Sequence, residues 1–84
     1  SPEEQFKRDE WVEKVVPKII MVREMIAETS WTEGYRSGSY RFINSVINQA
    51  KSRKSLSKKQ MEAVAALYTR IKKNINKQTG VKKW

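Results

Sequence analysis

Five cations, Lys51, Arg53, Lys54, Lys58 and Lys59, lie within nine residues. The last two fall at the start of a helix that the sequence caps for itself: Ser57 followed by Gln60 is the S-x-x-Q capping box. A helix N-terminus presents free backbone N–H groups and roughly half a positive charge, which suits a phosphate. Lysines in that first turn are locally unfavourable. A bound polyanion would relieve the repulsion; a tolerated surface defect is the plainer alternative. A second group mixes Trp31, Tyr35 and Tyr40 with Arg36 and Arg41, side chains able to stack bases and pair phosphates. Against that stands the usual fate of aromatics in small domains, with Trp31 and Tyr35 plugging one end of the core. A third group, Lys59, Ala63, Ala66, Arg70, Lys73 and Lys77, recurs at helical spacing as a stripe with a small centre and basic flanks. Base-reading side chains are few there (Arg70, Asn74, Asn76 and Gln78), so the chemistry expected is phosphate contact rather than sequence reading.

Charge supports the same direction. The net charge of +9 is divided unequally: through residue 34, five Lys and Arg face eight acids, a balance of −3. After it, thirteen face the single acid Glu62, a balance of +12. A basic half fits a polyanion, whether nucleic acid, anionic membrane or acidic protein, or else simply keeps a small protein soluble. Other chemistries find little support. The chain has no histidine and no cysteine. It therefore lacks the usual general base, the commonest metal ligand, thiolates and disulfides. Asp9, Glu10 and Glu13 are interleaved with Lys7, Arg8 and Lys14 as on a solvated helix face. There is no glycine-rich phosphate loop. The expectation is a non-enzymatic chain with no cofactor, no metal and no small-molecule substrate. No run approaches the ~20 apolar residues of a membrane span. No helix pairs its basic face with a spare Trp/Phe/Leu face, so a membrane partner is not expected. Absence of cysteine suits the cytoplasm.

The elements that must position these groups are helical. Length allows one small domain, residues 1–84, either a whole protein or an accessory domain of a longer one. Ser1-Pro2-Glu3-Glu4 reads as a helix start. Val12, Val15, Ile19, Val22 and Ile26 form its seam, widened by Phe6, Val16, Ile20 and Met25. Pro17 interrupts this pattern at a cost of ~3 kcal/mol in an ordinary helix interior. Either one long helix kinks near residues 13–17, or two short helices meet there; the unbroken apolar phase favours a first helix kinked or briefly split near Pro17 and ending near Glu28. Residues 29–39, with Gly34 and Gly38, read as the one long connector. A second helix is expected from Ser39 as cap, with Phe42, Ile43, Val46, Ile47 and Ala50 inward. The third begins at Ser57, with a Leu56–Met61 hydrophobic staple and a seam of Met61, Val64, Tyr68, Ile71 and Ile75. Gly80 is a candidate C-cap, and Trp84 either folds back or awaits a partner. The expected fold is all-α, a small three-helix bundle with a helix-turn-helix-like pair at 40–76.

Phe42-Ile43-Asn44-Ser45, then Ser55-Leu56-Ser57-Lys58-Lys59-Gln60, resembles a short helical module of phage and plasmid DNA-metabolism proteins. Its pattern is F-x-x-S, a basic turn, then S-L-S-x-K-Q. It is similar to the small C-terminal helical domain of T-even phage recombination helicases of the UvsW kind. The resemblance covers about residues 40–72 and leaves the first helix outside. That family often has glycine where this chain has Lys54. The resemblance implies an accessory domain that helps a helicase or other DNA-processing protein engage DNA, with Arg53, Lys54, Lys58 and Lys59 at the matched turn. The residues themselves leave open DNA, single- or double-stranded, or RNA. A protein-interaction module docking on an acidic surface of a partner enzyme is the other reading.

Overall fold

Ser1 caps the first helix: its Oγ accepts a hydrogen bond from the Glu4 N–H at 3.4 Å. Pro2 takes the first helical position, where a missing N–H costs nothing, and Glu3 and Glu4 face the positive end of the helix dipole. In the computed structural model, which describes residues 1–78, this helix is α1, Pro2–Ile26. It runs through Pro17 as one continuous helix. Pro17 itself is exposed, while Val16, Ile19, Val22 and Ile26 are buried. Burial of those side chains, at roughly 1.5–3 kcal/mol each, outweighs the proline. Past its end, the Thr29 hydroxyl donates to the Ile26 carbonyl at 2.7 Å, satisfying one of the terminal acceptors.

The second helix starts earlier than Ser39. α2 spans Glu33–Arg53, with Thr32 as its cap; the Thr32 Oγ accepts from the Tyr35 N–H at 3.2 Å. Thr32-Glu33 offers both a cap and a first-turn acid, a start that outcompetes the glycines behind it. Ser39 is instead a buried interior residue whose hydroxyl donates to the Tyr35 carbonyl at 3.0 Å. The connector therefore shrinks from 29–39 to residues 27–32. α2 ends at Lys54, which adopts the left-handed conformation (φ 56°, ψ 31°).

α3 spans Lys58–Gln78 and begins with both halves of the capping box. Ser57 Oγ accepts from Gln60 N–H at 3.0 Å, and Gln60 Oε1 accepts from Ser57 N–H at 2.9 Å. Gly80 and Trp84 lie outside the described residues.

α1 and α2 run antiparallel, as do α2 and α3. Arg23 Nη1 on α1 donates to Asn44 Oδ1 on α2 at 2.9 Å. Gln49 reaches Gln60 beside the tight turn, while Ser30 and Asn74 meet at the opposite end. The helix-turn-helix-like pair is thus a long αα-hairpin, laid against α1 to complete a three-helix bundle without strands among the described residues. Its core is Val16, Ile19, Val22 and Ile26 of α1, Ile43, Val46, Ile47 and Ala50 of α2, and Leu67 and Ile71 of α3. Two expectations are corrected here. The α3 seam turns on Leu67 rather than on Met61 and Tyr68, which are exposed. Val64, Ile71 and Ile75 of the expected seam do face the core, but Leu67 completes it in place of Met61 and Tyr68, which leaves the phenol to solvent. Phe6 and Phe42, expected inward, are exposed at 67% and 37%.

Candidate nucleic-acid interface

The basic turn forms because α2 ends and α3 begins within four residues, 54–57. Lys51, Arg53, Lys58 and Lys59 are all exposed around it. Lys54 differs. Half-buried, it sends its ammonium across to Asp9 of α1 in a hydrogen-bonded ion pair. The hydrogen bond from Lys54 holds the Asp9 carboxyl below its ordinary value. Partial desolvation opposes this, and the Lys54 charge and the Gln5 amide reinforce it. One of the five clustered cations is therefore spent on fixing the turn to the first helix. The remaining described ion pairs join Ser1 to Glu4, Lys14 to Glu10 and Arg23 to Glu24, none of them at this turn. Leu56 and Met61, the two staple positions, line a shallow cleft together with Trp11.

The aromatic group divides by role. Trp31 is half-buried and packs on the core, as the plug reading anticipates. Its ring meets that of Tyr35 edge-on, with centroids 4.6 Å apart and planes at 66°. Tyr35 itself is 48% exposed. Tyr40 packs against the core from the same helix. Arg36 is half-buried and turned back on the chain, its Nη1 donating to the carbonyls of Trp31 and Thr29. That use closes the 27–32 connector and leaves Arg36 poorly placed to grip a phosphate. Arg41 is exposed.

The two groups are not brought together. From Tyr35 to Arg53 is eighteen residues along α2, roughly 27 Å at 1.5 Å per residue. What spans the gap is the α3 stripe. Lys59, Ala66, Arg70, Lys73 and Lys77 are exposed and Ala63 half-buried. Arg70 connects the stripe to α2, because it lines one groove with Gly34, Tyr35, Gly38 and Phe42. Lys58 and Lys59 also supply first-turn N–H groups that the capping box, which uses Gln60 N–H, leaves free. Seven acids, meanwhile, belong to α1 or the residues just after it. α1 also carries Lys7, Arg8, Lys14, Lys18 and Arg23, so a nearly neutral helix lies against a strongly basic hairpin.

Sequence reasoning missed two uses of polar residues. Asn74 and Gln78, candidates for base reading, instead clamp the bundle's end. Asn74 Oδ1 accepts from the Ser30 N–H at 2.8 Å, and Gln78 Nε2 donates to the Glu28 carbonyl at 3.2 Å. The signal was thin, since an exposed amide on a helix gives no hint of which connector will pass beside it. It also missed the groove, although Gly34 and Gly38, four apart, could have suggested a helix face without side chains. Among the described residues, no group of three or more His, Cys, Asp or Glu residues could hold a metal ion, and no helix is long and apolar enough to cross a membrane. No protein-family model matches the chain, and neither a curated protein nor a solved structure does.

Proposed function

We propose that this domain is a non-enzymatic nucleic-acid-binding module, an accessory to DNA recombination, repair or replication. It holds the phosphate backbone along the basic turn and the outer stripe of α3. One observation carries the reading: Lys51, Arg53, Lys58, Lys59, Arg70, Lys73 and Lys77 are exposed on one hairpin, which holds only two acids, Glu33 and Glu62. Cations held this way repel each other, and the repulsion falls when phosphates sit among them. The track of roughly 27 Å matches about eight phosphates of one strand at 3.4 Å each. Four to six contacts is a reasonable number for that length. The phage-type DNA context rests on the resemblance at the turn, where Lys54 replaces the family's frequent glycine.

The test is a salt titration of binding to matched single- and double-stranded oligonucleotides. Log affinity should fall linearly with log salt, at about −0.9 per phosphate contacted on duplex and −0.7 on single strands. Replacing Arg53, Lys58 and Lys59 together by Gln should flatten the duplex slope by about two to three units and weaken all sequences alike. Lys54 is left in place because it pairs with Asp9. A variant that keeps both affinity and slope would remove the turn from the interface. Exposed Phe42 beside Arg70 favours a second reading, docking on an acidic surface of a partner enzyme. That reading expects little DNA binding at physiological salt.

A further inference from the structure

Gly34 and Gly38 are helical residues one turn apart in α2. A Cβ at Gly34 would meet no atom within 4 Å; one at Gly38 would meet only the Arg41 guanidinium, at 3.9 Å. Nothing in the chain therefore needs the space these glycines leave, although each weakens the helix relative to alanine. The space belongs to a groove of about 300 Å³ between α2 and α3. Leu67 forms its floor, Tyr35 and Phe42 stand on one wall, and Arg70 closes the other. Both aromatics are exposed, and Phe42 presents an apolar ring to solvent. Tyr35 is held in place by the edge of Trp31. No carboxylate lines the groove; Arg70 does, and the Arg41 guanidinium lies beside Gly38.

We infer that this groove takes one unpaired nucleobase of a single-stranded or locally opened nucleic acid, stacked on Phe42 or Tyr35, with Arg70 on the adjoining phosphate. Aromatic faces bind any base, arginine supplies charge, and missing Cβ atoms let the ligand approach the backbone. Charge decides for a nucleotide over an apolar protein segment: the charged residue lining the groove is Arg70, the Arg41 guanidinium lies beside Gly38, and Arg70 continues into the α3 stripe. The inference rests on the nucleic-acid reading and adds to it a preference for unpaired strands.

Its test compares a twelve-residue oligo-dT with a duplex of equal length, for the wild type, Phe42→Ala and Gly38→Leu. Phe42→Ala should weaken oligo-dT binding about five- to hundredfold, the value of one lost stacking contact, and leave duplex binding unchanged. Gly38→Leu should act oppositely on two readouts. It should raise the melting midpoint by about 4–8 °C through helix propensity, while blocking the groove and lowering oligo-dT affinity by a similar factor. A purely structural role for these residues would move stability and binding together. If both oligonucleotides bind with a clear salt slope but neither variant alters oligo-dT affinity, the groove inference is overturned and the phosphate reading stands. An apolar protein segment as the true occupant would give that same result. If neither oligonucleotide binds at any salt concentration, both are overturned.

Discussion

Lys54 holds a backbone conformation that glycine adopts freely and that costs other residues roughly 1–2 kcal/mol. Its ammonium repays part of this by bonding to Asp9, so a side chain at the turn also fastens the first helix. Asp9 titrates below its ordinary value mainly because of that hydrogen bond. A carboxyl whose folded value is depressed contributes fully above its unfolded value, near 3.9, and loses the contribution as pH falls through the lower folded value. Followed by NMR, the Asp9 carboxyl should therefore move back toward its ordinary value in Lys54→Gln. An unmoved midpoint would show that the pair does not persist in solution. Core positions separate just as clearly. Ile71 is fully buried, and Ile71→Ala should cost about 2–5 kcal/mol in urea unfolding. Phe42→Ala should cost well under that, because the ring is partly in solvent; equal costs would mean that the groove is closed core. Ile43, Val46, Ile47 and Ala50 were legible from their spacing alone. Leu67 was not, because Met61 and Tyr68 continue the spacing of Val64, Ile71 and Ile75 equally well, and only packing against the other helices puts Leu67 in their place.

Helix starts were readable where a capping residue met its partner at the right spacing. Ser57 and Gln60 form both predicted bonds, and Ser57→Ala should lower stability by about 1 kcal/mol, read as a reduced melting midpoint. DNA affinity at protein concentrations far above the dissociation constant should be nearly unaffected. No change in melting would mean that the Gln60 side chain alone sustains the start. The beginning of α2 was misread for a physical reason. Glycine and serine mark a loop only when nothing stronger acts nearby. Here Thr32 caps the segment, and the Ser39 hydroxyl bonds to a carbonyl within its own helix instead of starting a new one. The candidate site was legible in the same uneven way. Exposed lysines of the turn and stripe follow from charge and period. The inward use of Arg36, Asn74 and Gln78 depends on where the 27–32 connector lies, which no local pattern encodes.

Across the whole molecule, the division of charge seen in the sequence becomes a division of surface, because a nearly neutral α1, with six acids and five Lys and Arg, lies against a hairpin whose eleven Lys and Arg face only Glu33 and Glu62. The net field therefore draws a polyanion toward the basic hairpin rather than toward the nearly neutral α1. Two tight connectors, residues 27–32 and 54–57, make that arrangement possible by forcing each helix to double back on the one before. They also govern how quickly the chain finds its shape. Loops this short lose little entropy on closing, and each helix meets its neighbour within a few tens of residues. Chains dominated by such local contacts fold in microseconds to milliseconds. A temperature jump on this domain, followed by tryptophan emission, should relax in that window with a single exponential. A phase lasting seconds would mean that the hairpin and α1 assemble as separate units.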